Sequence, residues 1–128
     1  MKLVSLLSRV AIGAPFVWLG YKAVEDPGMR VKMAVDFGIP EEFGDLAVRA
    51  NGAAMVLGGL SVITGVLPKI GAAGVVASMI PTTLAAHSFW NDTDPKQRQA
   101  NTVQFLKNVG MMGGLLAVVL SAAGWLLT

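Results

Sequence analysis

The sequence predicts an all-α integral membrane protein, a four-transmembrane-helix bundle with a short amphipathic helix between the first two spans. The first observation is composition: of 128 residues, 54% are hydrophobic and only 14% are charged, whereas soluble domains have about 25% charged residues. The second is the presence of four apolar segments, each long enough for the roughly 20 residues that cross a bilayer. The length fits a single four-helix domain over residues 1–128.

The first segment runs from about Leu3 to Val24. Arg9 lies near its start, Pro15 in its middle and Lys22 near its end. A cleavable signal peptide is the alternative for a lysine-led apolar start. However, no short apolar stretch ends in a small-x-small cleavage site, and Lys22 interrupts the chain where cleavage would fall. A transmembrane helix is therefore the favoured interpretation.

The connection to the second segment, roughly Glu25 to Asp45, contains a helix signal of its own. Met29, Met33 and Phe37 follow one another at four-residue spacing, which places them on one helical face. Together with charged residues on other faces, this pattern predicts a short helix that lies on the membrane surface over Gly28 to Phe37. A glycine and a proline soon after Phe37 end it.

The second and third segments are predicted to form a helical hairpin. The second runs from about Leu46 to Leu67, and the third, Ile70 to Trp90, contains no Asp, Glu, Lys or Arg. Because only Pro68-Lys69 separates them, these helices are expected to be antiparallel neighbours. A polar loop, Asn91 to Asn101, leads to a fourth segment from about Val103 to Thr128.

Small residues recur at four-residue spacing in three of these segments. The pairs are Gly110 with Gly114, Ser61 with Gly65, and Gly74 with Ser78. In lipid, such stripes let helix backbones approach closely. They indicate packing within the bundle or, alternatively, contact with a second copy of the chain or with a partner.

The basic residues favour one orientation in the membrane. With four spans both termini lie on one side, which carries three basic residues: Lys2, Arg9 and Lys69. The other side carries seven: Lys22, Arg30, Lys32, Arg49, Lys96, Arg98 and Lys107. By the positive-inside rule the second side is cytoplasmic, so the N- and C-termini are expected to be extracytoplasmic.

The second side also gathers polar and aromatic side chains at the helix ends. They form a candidate ligand-binding or quinone-binding site with these members: Lys22, Arg49, Asn51, His87, Trp90, Lys107 and Asn108. Polar and ionisable groups are unfavourable in a membrane, so their presence raises a functional hypothesis. The alternative is structural: the basic side chains reach the headgroups, His87 bonds to a neighbouring helix, and Trp90 belongs to the interfacial aromatic belt.

Several classes of activity are excluded or disfavoured. The chain has no cysteine, so its own residues supply no disulfide, thiolate metal site or thiol chemistry. With a single histidine, a haem or metal site made by this chain alone is not expected. The net charge of +2 and the lack of a basic, aromatic run argue against nucleic acid. No catalytic or phosphate-binding motif appears, so whether the chain is an enzyme stays open.

The order of features resembles the DoxX family, in its actinobacterial branch, along nearly the whole chain. The residues that carry the resemblance are Arg9, Gly13, Phe16, Gly20 and Lys22, then Phe37-Gly38-Ile39-Pro40, Gly58-Gly59-Leu60, Leu67-Pro68-Lys69, Pro81-Thr82-Thr83, His87-Ser88-Phe89-Trp90, and Phe105-Leu106-Lys107-Asn108 with Gly110 and Gly113-Gly114. One departure is Asn51, which stands in the region where many members carry a glutamate. Proton transfer by that glutamate is therefore not expected here.

The resemblance implies a plasma-membrane protein linked to an oxidoreductase assembly. One branch of the family looks like the small subunit of thiosulfate:quinone oxidoreductase, and others are tied to thiol and oxidative-stress handling. The chain is accordingly expected to be a small membrane subunit, surrounded by lipid, with a quinone as the candidate cofactor and a larger membrane or peripheral redox protein as partner. The alternative is a non-catalytic accessory subunit that packs against a larger respiratory-type complex. A homo-oligomer also stays open.

Overall fold

The computed structural model describes residues 2–121. Five α-helices lie in this range: α1 (Lys2–Glu25), α2 (Met29–Phe37), α3 (Gly44–Thr64), α4 (Pro68–Ala86) and α5 (Pro95–Leu120). One-turn 3-10 helices, Glu41–Phe43 and Phe89–Asn91, precede α3 and α5. Four of the helical segments are long and apolar enough to cross a membrane, and residues 2–121 contain no strand. The predicted fold class, an all-α multi-pass membrane bundle, is confirmed.

The four long helices pack in a row rather than in a closed ring. α1 packs on α3, α3 on α4, and α4 on α5, while α1 and α5 touch only briefly. The short helix α2 lies against both α3 and α4. Buried side chains between these helices form one core: Phe16, Met55, Val62, Ala72, Val75, Met79, Leu115 and Val118. Within the described residues, the bundle is therefore least closed between α1 and α5.

α1 and α3 form the most extensive helix pair because glycines face each other at two levels. Gly13 lies against Gly59, and Gly20 lies against Gly52. A Cβ added at Gly13 would come within 2.6 Å of the carbonyl oxygen of Gly59, and one added at Gly59 within 2.7 Å of that of Gly13. Only residues without a side chain permit this approach, at which Cα–H groups contact carbonyl oxygens. The seven-residue spacing, close to two helical turns, is the sequence signal for this contact.

Three of the small residues singled out in the sequence have no close helix contact among the described residues. A Cβ added at Gly74, Gly110 or Gly114 would meet nothing within 4 Å. Packing within the described chain therefore does not explain these three glycines, and contact with a second copy or a partner stays a prediction. Ser78 is different, because it is buried and donates a hydrogen bond to Asn51 across the α3–α4 interface.

The turn between α3 and α4 lies slightly earlier than predicted. α3 ends at Thr64, and Pro68 is already the first residue of α4, so the turn consists of residues 65–67. Leu67 has a left-handed backbone, with φ of 50°. The Ser61 hydroxyl donates to the carbonyl oxygen of Leu67 at 2.8 Å, which holds the turn in place. The prediction that the two helices are antiparallel neighbours is confirmed.

The prediction that α5 begins near Val103 is wrong by about two turns. α5 begins at Pro95, and the carboxylate of Asp94 accepts a hydrogen bond from the backbone N–H of Gln97 at 3.2 Å. An aspartate followed by a proline is a strong helix start. Hydrophobicity alone missed it because the first turns of α5 are polar, and hydrophobicity detects only the part of a helix that enters lipid.

The third span covers Pro68–Asn91, so the prediction that it reaches Trp90 is confirmed, but the span is not one continuous helix. α4 ends at Ala86, and His87 is its C-terminal cap, with non-helical backbone angles. Trp90 lies beyond the helix, in the 3-10 turn that leads towards α5. His87 therefore lies at the end of α4 and not inside it, and its ring contacts Asn101 in the second turn of α5.

Candidate functional site

A cavity of about 710 Å³ lies at the end of the bundle where α2 packs. We call it the interhelical cavity, and all five α-helices contribute to its wall. Its polar lining residues are Arg30, Asn51, Thr82, Thr83, His87, Gln104 and Asn108. Within residues 2–121 no aspartate or glutamate lines it. A largely apolar cavity with a few polar groups is the usual form of a small-molecule site.

The short helix α2 covers this cavity. Met29, Met33 and Phe37 line it. On another face, Val31 and Val35 pack on the start of α3, where a Cβ added at Gly44 would lie 3.0 Å from each of them. A helix in the predicted segment is thus confirmed, at Met29–Phe37, and its apolar face forms one wall of the cavity; its position on the membrane surface stays a prediction.

Asn51 joins α3 to α4 and uses both ends of its amide to do so. Its Oδ1 accepts a hydrogen bond from the Ser78 hydroxyl at 2.8 Å, and its Nδ2 donates to Thr82 Oγ1 at 3.1 Å. Hydrogen bonds between helices in a membrane contribute about 0.6 kcal/mol each, at most ~1.7 kcal/mol. Asn51 is therefore a structural crosslink in the cavity wall, with its principal donor and acceptor already engaged.

Asn108 makes the corresponding link between α5 and α4. Its Nδ2 donates to Thr83 Oγ1 at 3.0 Å, and Thr83 is almost fully buried. No residue of the described range bonds to the Oδ1 of Asn108 or accepts the hydroxyl hydrogen of Thr83. The two side chains therefore present one acceptor and one donor that a ligand can use. The neighbouring Gln104 also lines the cavity, with its amide outside every hydrogen bond among residues 2–121.

His87 lines the cavity and is bonded to Asn101 of α5. The ring is half-buried, and its Nδ1 lies 3.4 Å from Oδ1 of Asn101. Asn101 in turn donates from Nδ2 to a carboxylate oxygen of Asp92 at 2.7 Å. Neither Asn101 nor Asp92 lines the cavity. The ring nitrogen Nδ1 is therefore on the side of His87 that faces Asn101 and Asp92.

Three of the seven predicted site residues, Asn51, His87 and Asn108, come together in this wall. The two lysines do not. Lys22 is exposed and forms an ion pair with Glu25 at 3.4 Å, and Lys107 is exposed and lies outside the wall. Neighbouring residues on a helix differ by about 100° in direction, because 3.6 residues make one turn. On α5 the cavity is lined by Gln104, Asn108 and Met111, which share one face of the helix, and Lys107 points away from that face.

Arg49 and Trp90 also lie outside the cavity wall. Arg49 forms an ion pair with Asp45, one helical turn away on α3, with 2.8 Å between Nε and the carboxylate. Arg49 also donates to the carbonyl oxygen of Val24 and so fastens the end of α1 to the start of α3. Trp90 is exposed and packs edge-to-face on Phe105, with ring centroids 5.8 Å apart. Both side chains support the rim of the cavity.

Methionine is the residue type that the sequence prediction missed. Five of the seven methionines line the cavity: Met29, Met33, Met55, Met79 and Met111. A flexible, polarisable side chain fits ligands of irregular shape. The five residues come from four helices, so no spacing within one helix reveals the group. Only the packing of α1 to α5 brings it together.

One comparison with known proteins gave a match. The family model described as DoxX matches residues 4–88, which is more than half of the chain. The match covers α1 to α4 and includes Asn51, Thr83 and His87. Searches of curated proteins and of solved structures gave no match.

Proposed function

The chain belongs to the DoxX family of membrane proteins, and on that premise we propose that it is a small membrane subunit of an oxidoreductase complex that holds a quinone headgroup in the interhelical cavity. The proposal includes a plasma-membrane location with both termini outside the cytoplasm. It also includes a larger redox protein as partner, because this chain shows no motif for an electron-carrying cofactor of its own.

The observation that supports quinone binding is the combination of apolar volume with a few hydrogen-bonding groups. A quinone headgroup is a flat, apolar ring with two carbonyl acceptors. The Thr83 hydroxyl and the Gln104 amide are donors with no acceptor among the described residues. Five methionines add flexible, polarisable side chains to the wall. The proposal places the entry of a ligand with a long apolar tail between α1 and α5, which touch only briefly.

The charge of the wall supports the same ligand class. Arg30 is the only Lys, Arg, Asp or Glu residue of the wall within residues 2–121. A quinone becomes more negative at its oxygens when it is reduced. A fixed cation and oriented donors stabilise that charge strongly where water is excluded. Because the described wall has no carboxylate, no negative side chain there repels the charge on the quinone oxygens.

A second candidate function is that of an accessory subunit that carries no cofactor. Gly74, Gly110 and Gly114 favour it, because their faces are open in the described chain. Small residues on a lipid-facing helix allow close contact with a helix of another protein. In this case the partner would carry out the chemistry, and the cavity would be filled by lipid.

Purification from native membranes in a mild detergent distinguishes the quinone-binding function from the accessory function. The quinone-binding function predicts about one quinone per chain by extraction and absorbance. Gln104→Leu and Thr83→Val should lose most of it. Lys107→Ala, on the same helix as Gln104 but outside the wall, is the matched control and should retain the quinone. A stoichiometric large partner without quinone would contradict quinone binding and support the accessory role.

A further inference from the structure

Three side chains between α4 and α5 form a directed hydrogen-bond chain, from His87 through Asn101 to Asp92. The Asp92 carboxylate lies 2.7 Å from one end of the Asn101 amide. An ionised carboxylate can only accept hydrogen bonds, so the amide end that touches it must be the NH₂ group. This fixes the direction of the amide, and Asn101 must turn its carbonyl oxygen, Oδ1, away from Asp92.

The direction of the amide decides the protonation of the imidazole. Oδ1 of Asn101 lies 3.4 Å from Nδ1 of His87. Oδ1 can only accept, so Nδ1 must carry the hydrogen. A neutral imidazole has one N–H and one acceptor nitrogen, and the bond made by one nitrogen sets the state of the other. In neutral His87, Nε2 is therefore an acceptor.

The position of the cavity says what this acceptor can meet. His87 lines the cavity, whereas Asn101 and Asp92 do not. Nδ1 is turned towards Asn101 and Asp92, and Nε2 bonds to no residue of the described range, so Nε2 is the nitrogen left for a ligand. A ligand that approaches Nε2 forms a hydrogen bond only if it brings a donor.

We propose that Asp92 and Asn101 are positioning residues that hold His87 with its hydrogen on Nδ1, so that Nε2 accepts a hydrogen bond from the hydroxyl group of a hydroquinone in the interhelical cavity. This inference rests on the proposed quinone-binding function and sharpens it. The site distinguishes the two redox forms of the ligand, because a hydroquinone has hydroxyl donors and a quinone has only carbonyl acceptors.

The expected preference follows from that difference. The hydroxyl group of a hydroquinone donates a hydrogen bond to Nε2. The carbonyl oxygen of a quinone has no hydrogen to donate, so its lone pair faces the lone pair of Nε2. One neutral hydrogen bond gained or lost changes binding by about fivefold. Hydroquinone should therefore bind about fivefold more tightly than the matching quinone while His87 is neutral.

The first test reads the tautomer directly, and it is favourable here because His87 is the only histidine of the chain. Protein labelled with ¹⁵N-histidine in lipid nanodiscs is studied without ligand, at a pH about two units above the ordinary imidazole pKa of ~6.5. The proposal predicts an N–H signal from Nδ1 and an unprotonated signal from Nε2. Asn101→Leu should move the hydrogen to Nε2, and Asp92→Ala, which lets the amide rotate, should give a mixture.

Asp94→Asn is the control for both variants. Asp94 is the other acid of the same loop, and its role is to cap α5, which asparagine does equally well. The control should keep the hydrogen on Nδ1. A hydrogen on Nε2 in the unaltered protein, or a tautomer that Asn101→Leu leaves unchanged, would overturn the positioning role.

The second test measures binding of a short-chain naphthoquinone and of its hydroquinone under the same conditions. The unaltered protein should prefer the hydroquinone about fivefold, and Asn101→Leu should lose or reverse this preference. Equal binding of both forms by the unaltered protein would overturn the inference and leave the quinone-binding function standing. Binding of neither form, with the hydrogen on Nδ1, would instead contradict the quinone-binding function.

Discussion

The glycine contact between α1 and α3 gives the sharpest stability prediction, which concerns Gly59→Ala. The new Cβ would lie 2.7 Å from the carbonyl oxygen of Gly13, and 2.8 Å from a methyl carbon of Val17. Ordinary van der Waals contact begins near 3.4 Å. The two helices must therefore separate by roughly 0.7 Å at this level, and a gap of that size forfeits about a quarter to a half of each contact energy.

The matched control is Gly110→Ala, where the new Cβ meets nothing within 4 Å. Both changes gain about 1 kcal/mol of helix propensity, since alanine favours a helix over glycine. Their difference isolates the clash, and overpacking in a fixed interface destabilises by about 1–3 kcal/mol. Gly59→Ala should thus be less stable than Gly110→Ala by ~1–3 kcal/mol.

The measurement is reversible unfolding of both variants in mixed micelles with increasing SDS, followed by circular dichroism. The difference in unfolding free energy between the two variants is the quantity of interest, because a common shift in helix propensity cancels. Equal stabilities would refute the close approach of α1 and α3. A loss of stability confined to Gly110→Ala would show that α5, rather than α1, makes the tight helix contact.

Three further predictions concern the turn, the crosslink and the orientation. Leu67→Gly should stabilise the protein by about 1 kcal/mol in the same unfolding assay, because glycine relieves the left-handed backbone at φ of 50°; a loss of stability would contradict that backbone. Asn51→Ala should destabilise by about 1 kcal/mol and keep the quinone content, because its amide is already bonded to Ser78; loss of quinone without loss of stability would make it a ligand residue. Single cysteines at Lys2 and Lys96, in a chain that has none, should label from outside intact cells at position 2 only. Labelling at position 96 alone would show that the protein has the opposite orientation in the membrane.

The membrane fold was predictable because lipid imposes strong rules on sequence. The long charge-poor stretches marked four spans, and the methionine and phenylalanine spacing at 29, 33 and 37 marked α2. Helix ends in polar sequence were harder, as the early start of α5 at Pro95 shows. There the signal was a cap and a proline rather than hydrophobicity.

The candidate site was only partly predictable because it depends on helical phase. The sequence shows that a residue lies near the polar end of a helix, but it does not show which direction the side chain faces. Asn108 enters the cavity wall and its neighbour Lys107 does not. Thr83 and Gln104 were missed because an uncharged polar residue carries little signal in sequence, although both supply donors in the structure.

The directed chain behind His87 could not be predicted for a related reason. His87, Asp92 and Asn101 are separated along the sequence, and they meet only because α4 ends at Ala86. A continuous helix to Trp90 would have kept His87 within helical backbone. Because α4 ends at Ala86, His87 contacts Asn101 of α5, and the proposed tautomer depends on that contact.

The most direct test of the central claim, that the interhelical cavity holds a quinone headgroup, is photolabelling in native membranes. The probe is a quinone analogue with a photoreactive group on the ring, and labelled peptides are identified by mass spectrometry. Quinone binding predicts labels on α2 around Met33 and on α5 around Gln104, which unlabelled hydroquinone removes by competition. Labels spread along the outer face of α5 near Gly110, unaffected by competitor, would contradict it and would assign the probe to the surrounding lipid.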